Sequence, residues 1–318
     1  MKRNNALDIA KGIGIVLMIV GHMTGMIPLH KFIYQFHMPM FLMFSGYFFD
    51  AQKWNSFLAF VTKRFKQLIV PYICFAVVII LVSSMILESD YNLMLTLSQG
   101  IPHAIWYLLI LFFVEILFFG LNKINNGISF LGVSILVLAL MGQILYWTNI
   151  KCPYSLSAIP VCTVFYILGF MFRKIAVKIP PPSLPKKVLI ANILISLSLV
   201  YIYVLVSGCH TELAGNSIAP FGYVTAVVGT FGIVNLSIFI EYNTKYSSLA
   251  LSWIGKNSIP FIGLNLVFII LCDILIRPYI SSFGIYKSMQ LIATILMCSL
   301  ISILVNRYFP WVVGKNKK

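Results

Sequence analysis

The strongest constraint on this chain is a succession of apolar runs, each close to the length needed to cross a bilayer. A spanning helix takes about 20 mostly apolar residues. Ten stretches approach that length: 7–27, 32–49, 67–87, 104–121, 128–147, 156–173, 188–207, 217–240, 257–276 and 288–308. Hydrocarbon offers no partners for backbone N–H and C=O groups, so such runs fold as helices that pair their own backbone. The expected fold is therefore all-α: a polytopic integral membrane protein with about ten transmembrane helices. Of 318 residues, 60% are hydrophobic and only 10% charged, with a mean hydropathy of +0.95. Soluble domains carry about 25% charged residues. Short connectors join the runs, so a single transmembrane domain, 1–318, is expected. The connector from Arg173 to Lys187 contains Pro180-Pro181-Pro182 and reads as a stiff surface linker.

The net charge is +15, from 23 basic and 8 acidic residues. In a soluble chain that excess would suggest nucleic acid. Here it clusters in short connectors, which fits topology and anionic headgroups and leaves no role for nucleic acid. With the N-terminus placed inside, all basic residues except Lys31, Lys151, Arg277 and Lys287 fall on the cytoplasmic side. That asymmetry supports an even number of spans with both termini cytoplasmic. The first run carries Asp8 and has no small-residue cleavage site, so a signal peptide is not expected. The six cysteines show no metal-ligand spacing and sit mostly in apolar runs. Only Cys152 and Cys209 fall in loops near one face.

The first run, Asp8 to His22, holds an acid, a base and a histidine. At about 100° per residue, His22 lies roughly 20° around the helix from Lys11, and Asp8 within roughly 60° of both. Ionisable groups in hydrocarbon are costly unless they face protein or a wet cavity, so this stripe marks a candidate site. Lys11 could also be a lysine reaching for the interface, and His22 a core histidine bonded to a neighbour. Gly12, Gly14 and Gly21 allow close helix approach.

The second run opens Phe36-His37-Met38-Pro39 and continues to Ser45-Gly46. His37 starts at a depth comparable with His22, and two histidines there could form a proton-transfer pair. Metal binding is not expected, because no carboxylate or cysteine accompanies them at ligand spacing. Lys63-Arg64-Phe65-Lys66, just before the third run, is either a topology signal or a phosphate clamp with Arg64 as its fork. Trp106-Tyr107 opens the fourth run where an aromatic belt would lie.

Taken together, these residues resemble the bacterial membrane acyltransferase 3 family, in its branch of fucose 4-O-acetylase-like and polysaccharide O-acyltransferases. Lys11, ten residues and His22 match that family's arginine-x10-histidine motif, with lysine in place of arginine. Asp8 to Gly12 match its Asp-x-x-Lys-Gly start, and Phe36 to Pro39 with Ser45-Gly46 match its second block. Arg64 with Pro71-Tyr72, Trp106-Tyr107, Ile167 to Phe170 and Ile254 to Ser258 resemble later blocks. The basic cluster lacks the family's Arg-x-x-Arg spacing, and Asn265 stands nearest a histidine found in some relatives.

The resemblance implies an enzyme of the bacterial cytoplasmic membrane. It would move an acyl group, usually acetyl, from cytoplasmic acyl-CoA to a hydroxyl of a cell-surface carbohydrate or its lipid-linked precursor. Acetyl-CoA is then a substrate, and no permanently bound cofactor is expected. His22 would be the catalytic base with His37 as its companion. Lys11, Lys63, Arg64 and Lys66 would hold acyl-CoA, with Asp8, Ser45, Trp106, Tyr107 and Asn257 in support. The main rival is a proton-coupled transporter or flippase for a sugar or lipid-linked glycan. The bilayer, donor and acceptor are the partners expected; oligomeric state is left open.

Overall fold

A computed structural model describes residues 5–23, 27–87, 104–175, 184–208, 211–215 and 218–315. Lys2, Arg3, the triple proline and Cys209 lie outside them. The described residues form helices α1 (Asn5–His22), α2 (Ile27–Tyr34), α3 (His37–Phe48), α4 (Phe57–Arg64), α5 (Val70–Leu87) and α6 (Trp106–Ile124). These are followed by α7 (Ile128–Trp147), α8 (Ile159–Ile175), α9 (Lys186–Ser207), α10 (Gly222–Asn243), α11 (Lys245–Lys256), α12 (Ser258–Leu275) and α13 (Phe283–Tyr308). Among them, nine helical segments are long and apolar enough to cross a membrane. The molecule is an all-α, multi-pass membrane protein.

The expected second span, 32–49, takes another form. It is split between α2 and α3, with a turn at Gln35 and Phe36. Twelve residues of α3 rise about 18 Å, short of a hydrocarbon core of about 30 Å. Its side chains explain why this is stable: Met40 and Leu42 are fully buried and Met38, Phe41, Met43 and Phe44 nearly so. A short helix wrapped on all sides by protein has no bare ends in lipid.

Two close crossings set the bundle's centre. Gly46 of α3 meets the carbonyl of Tyr166 on α8, while Gly169 of α8 meets the carbonyl of Met43 on α3; a Cβ at either glycine would overlap that oxygen. The same reciprocal contact joins α1 and α11, where Gly12 lies on Leu251 and Gly255 on the carbonyl of Asp8. Lipid tails are as apolar as leucine, so close van der Waals contact, rather than escape from solvent, holds such helices together.

The basic cluster 63–66 is not in a connector. Ser56 caps α4 by accepting from the amide of Ala59 at 3.2 Å. The helix then runs through a π-helical turn, Phe65–Ile69, into α5. Fully buried Phe60 anchors this stretch against Trp54 and Phe119, so aromatic packing carries the helix through a charged segment. The C-terminal segment closes on the same turn: Gly314, at φ +67, sits against the backbone of Gln67.

Candidate functional site

A cavity of about 420 Å³ opens at the His22 end of α1. Its chemistry comes from four elements. α1 ends on half-buried His22, α2 supplies Tyr34, α3 begins with buried His37, and α6 begins with Trp106. The Tyr34 hydroxyl lies 2.9 Å from His22 Nδ1. The ring of Tyr34 also lies against His30 and His37, with centroids 3.9 and 4.8 Å away.

The tautomer of His37 follows from its partner. Nδ1 is 3.0 Å from the Ile33 carbonyl, which can only accept, so Nδ1 carries the proton. In the neutral ring Nε2 is then an acceptor. The Tyr34 hydroxyl both donates and accepts, so its contact with His22 is compatible with either tautomer. On the far wall, Ser155, Thr211 and Glu212 join the lining. Tyr154 and Ser155 both hold left-handed backbone, with φ 58 and 60. Two successive side-chain-bearing residues in that region store strain of the kind that collects at binding sites.

The stripe on α1 divides between two neighbours. Lys11 and His22 both face the α2–α3 pair: Lys11 Nζ lies 4.7 Å from the ring centroid of Phe48, and His22 meets Tyr34. Eleven residues separate them, about 16 Å along the axis. Asp8 is buried and turns toward α11, where Lys256 Nζ is 4.0 Å from its carboxylate.

At the Lys11 end of the bundle, Arg64 is already engaged. Its Nε lies 2.8 Å from Oε2 of Glu115 and its Nη1 donates to Gln67 at 3.0 Å. The Arg64–Glu115 contact is off the hydrogen-bonding direction, so charge attraction holds it. Glu115 is 2% exposed, and the Tyr166 hydroxyl donates to it at 3.5 Å. Lys63 and Lys66 are exposed, with Lys63 5.3 Å from the Trp54 ring. Ser45 donates to the Phe41 carbonyl at 2.9 Å and lies 3.3 Å from the Tyr107 hydroxyl. Asn257 belongs to a separate cluster, where its Oδ1 accepts from Asn306 and Lys315, each at 3.2 Å. The structure thus gathers His22, His37 and Trp106 at one cavity, while Ser45 and Tyr107 pair outside it and the basic residues lie toward the Lys11 end.

Tyr34, Thr211, Glu212 and Glu115 did not emerge from the sequence. Glu115 had a signal: it is a lone acid inside an apolar run, the same sign that singled out His22. The other three carry no local mark.

Comparison with known proteins places this geometry in context. A model for an acyltransferase domain matches residues 4–311. A nodulation protein NolL of Mesorhizobium japonicum is 30% identical over 191 residues, covering 54% of this chain and 48% of the relative. A nodulation protein NolL of Sinorhizobium fredii is 28% identical over 196 residues, covering 54% and 49%. The chain thus spans about half the length of these curated relatives. No solved structure matches it.

Proposed function

This chain belongs to the acyltransferase family whose domain model covers residues 4–311, and from that premise we propose that it is an O-acyltransferase working across the membrane. Acyl-CoA enters at the Lys11 end, taken as the cytoplasmic side, and acetyl is the group transferred. The acceptor is a hydroxyl of a cell-surface carbohydrate or its lipid-linked precursor, held in the cavity at His22. The observation that carries this reading is the cavity itself: His22, at the end of α1, and His37, at the head of α3, meet at it, with Lys11 eleven residues back along α1.

Transfer from a thioester to an alcohol needs a base for the hydroxyl proton and a donor for the developing oxyanion. With Nδ1 donating to Tyr34, the Nε2 lone pair of His22 accepts the acceptor's proton. The alkoxide oxygen bonds to the thioester carbon, the C–S bond breaks, and His22 returns the proton to the CoA thiolate. His37 presents an acceptor nitrogen, which suits holding a hydroxyl rather than an oxyanion. Trp106, whose one polar group is a donor, suits the oxyanion. Lys11, Lys63 and Lys66 provide positive charge for the CoA phosphates. Arg64, ordered by Glu115 and Gln67, offers them its remaining N–H groups.

Purified protein with radiolabelled acetyl-CoA and cell-envelope glycan tests the reading. The wild type transfers label; His22→Ala inserts and accumulates but transfers none. Retained transfer by His22→Ala removes the histidine from the chemistry. A wild type that moves glycan across vesicles without labelling it is a transporter.

A further inference from the structure

Behind the far wall of the cavity lies a pair of buried polar groups that the acyl-transfer chemistry does not use. Thr211 is 1% exposed and lines the cavity, yet its hydroxyl has no hydrogen-bond partner. Gln35, also 1% exposed, donates from Nε2 to Thr225 at 2.7 Å, and its Oε1 is left without a donor. The two meet at one place: the position of a Cβ on Gly222 would lie 3.2 Å from Thr211 Oγ1 and 3.2 Å from Gln35 Nε2. The same Cβ would lie 2.9 Å from Ile218 Cγ1, so glycine at the start of α10 is what lets the helix pack this closely.

Unpaired polar groups in a buried wall are costly, and native interiors pair nearly all of them. Gln35 Oε1 lacks a donor, and the Thr211 hydroxyl, which can both donate and accept, lacks any partner. Glu212, the next residue, joins the same lining and brings an acidic side chain to it. A ligand that satisfies it is rich in O–H donors and uncharged, because a second anion would face Glu212.

We infer that Thr211 is a hydroxyl-reading position that orients a polyhydroxylated ring in the cavity and selects which of its hydroxyls reaches His22. The inference rests on the O-acyl-transfer reading of this cavity. It adds a residue that decides position on the acceptor. One hydroxyl of the ring hydrogen-bonds with Thr211 Oγ1, while another is left beside His22.

The test uses the full chain in nanodiscs and a panel of methyl glycopyranosides that differ in the configuration of single hydroxyls. Binding is measured by calorimetry without donor. At least one glycoside binds the wild type, Thr211→Val weakens it about tenfold, and Thr211→Ser restores it. Thr211→Val removes an unpaired hydroxyl at nearly constant shape, so its melting temperature stays level or rises, which separates this role from a structural one. With acetyl-CoA added, the wild type esterifies one position and Thr211→Val spreads the ester over several, as read by NMR. A wild type that binds none of the glycosides overturns the inference. So does a Thr211→Val protein that binds as tightly and esterifies the same position. Failure of the acyl-transfer reading shows elsewhere, in the retained activity of His22→Ala.

Discussion

At the scale of the residue, the site depends on which partner holds each ionisable group. In the proposed mechanism His22 acts as a base through an unprotonated Nε2, and the Tyr34 hydroxyl, 2.9 Å from Nδ1, can hold that tautomer. Tyr34→Phe removes that hydrogen bond and keeps the ring packing against His30 and His37. The expected result is a fall in kcat of at least about tenfold, within the range general-base catalysis contributes, with KM for acetyl-CoA unchanged in steady-state assays. Glu115 matters differently. Removing one partner of a buried ion pair costs about 3–5 kcal/mol, because the other charge is stranded. Glu115→Ala is therefore expected to lower the yield and melting temperature of purified protein. The double variant Glu115→Leu with Arg64→Met recovers most of the stability but not acetyl-CoA affinity. A double variant with native affinity removes Arg64 from donor binding. The residues legible in the sequence were those whose chemistry conflicts with their surroundings: His22, Lys11, His37. Tyr34 and Thr211 are ordinary residues in their own segments, and only distant chain segments give them roles.

At the scale of the element, two pairs of glycines decide how closely the functional helices approach. Gly46 and Gly169 lock α3 to α8, and so fix the height of His37 at the head of α3. Gly46→Val or Gly169→Val pushes these helices apart. It is expected to abolish the monodisperse peak in size-exclusion chromatography along with activity. Gly120, in the interior of α6, has open space where a Cβ would go. Gly120→Ala is expected to leave activity intact and add about 0.5–1 kcal/mol of stability by reducing the freedom of the unfolded chain, as thermal unfolding would show. Both kinds of glycine look alike in the sequence. The helical run through Lys63 to Lys66 teaches the converse lesson, since a charged tetrapeptide reads as a connector until Phe60 is seen buried beneath it.

At the scale of the whole molecule, the arrangement is polar along its axis. Lys11, Lys63 and Lys66 lie toward one end of the bundle, and the histidine cavity lies at the other. About 16 Å of α1 separates Lys11 from His22, a gap that, in the proposed reaction, the pantetheine arm of the donor spans for its thioester to reach His22. Acetyl-CoA does not cross a bilayer unaided. Inverted vesicles, with the cytoplasmic face outward, are therefore expected to incorporate label from added acetyl-CoA. Right-side-out vesicles are expected to incorporate it only after permeabilisation. Equal labelling of both intact preparations would contradict the proposed direction.

The apolar runs and their charge bias were sufficient by themselves to determine an all-α membrane protein, the position of most helices and the acid–base character of the first. Hydropathy and helical period are properties of neighbouring residues, so they can be read along the chain. The short form of α3, the pairing of Arg64 with Glu115, and the cavity that joins His22 to Tyr34 and Thr211 were decided by tertiary structure alone. Each depends on how nearly two backbones can approach. That distance is set by the fit of side chains from segments as far apart in sequence as Gly46 and Gly169.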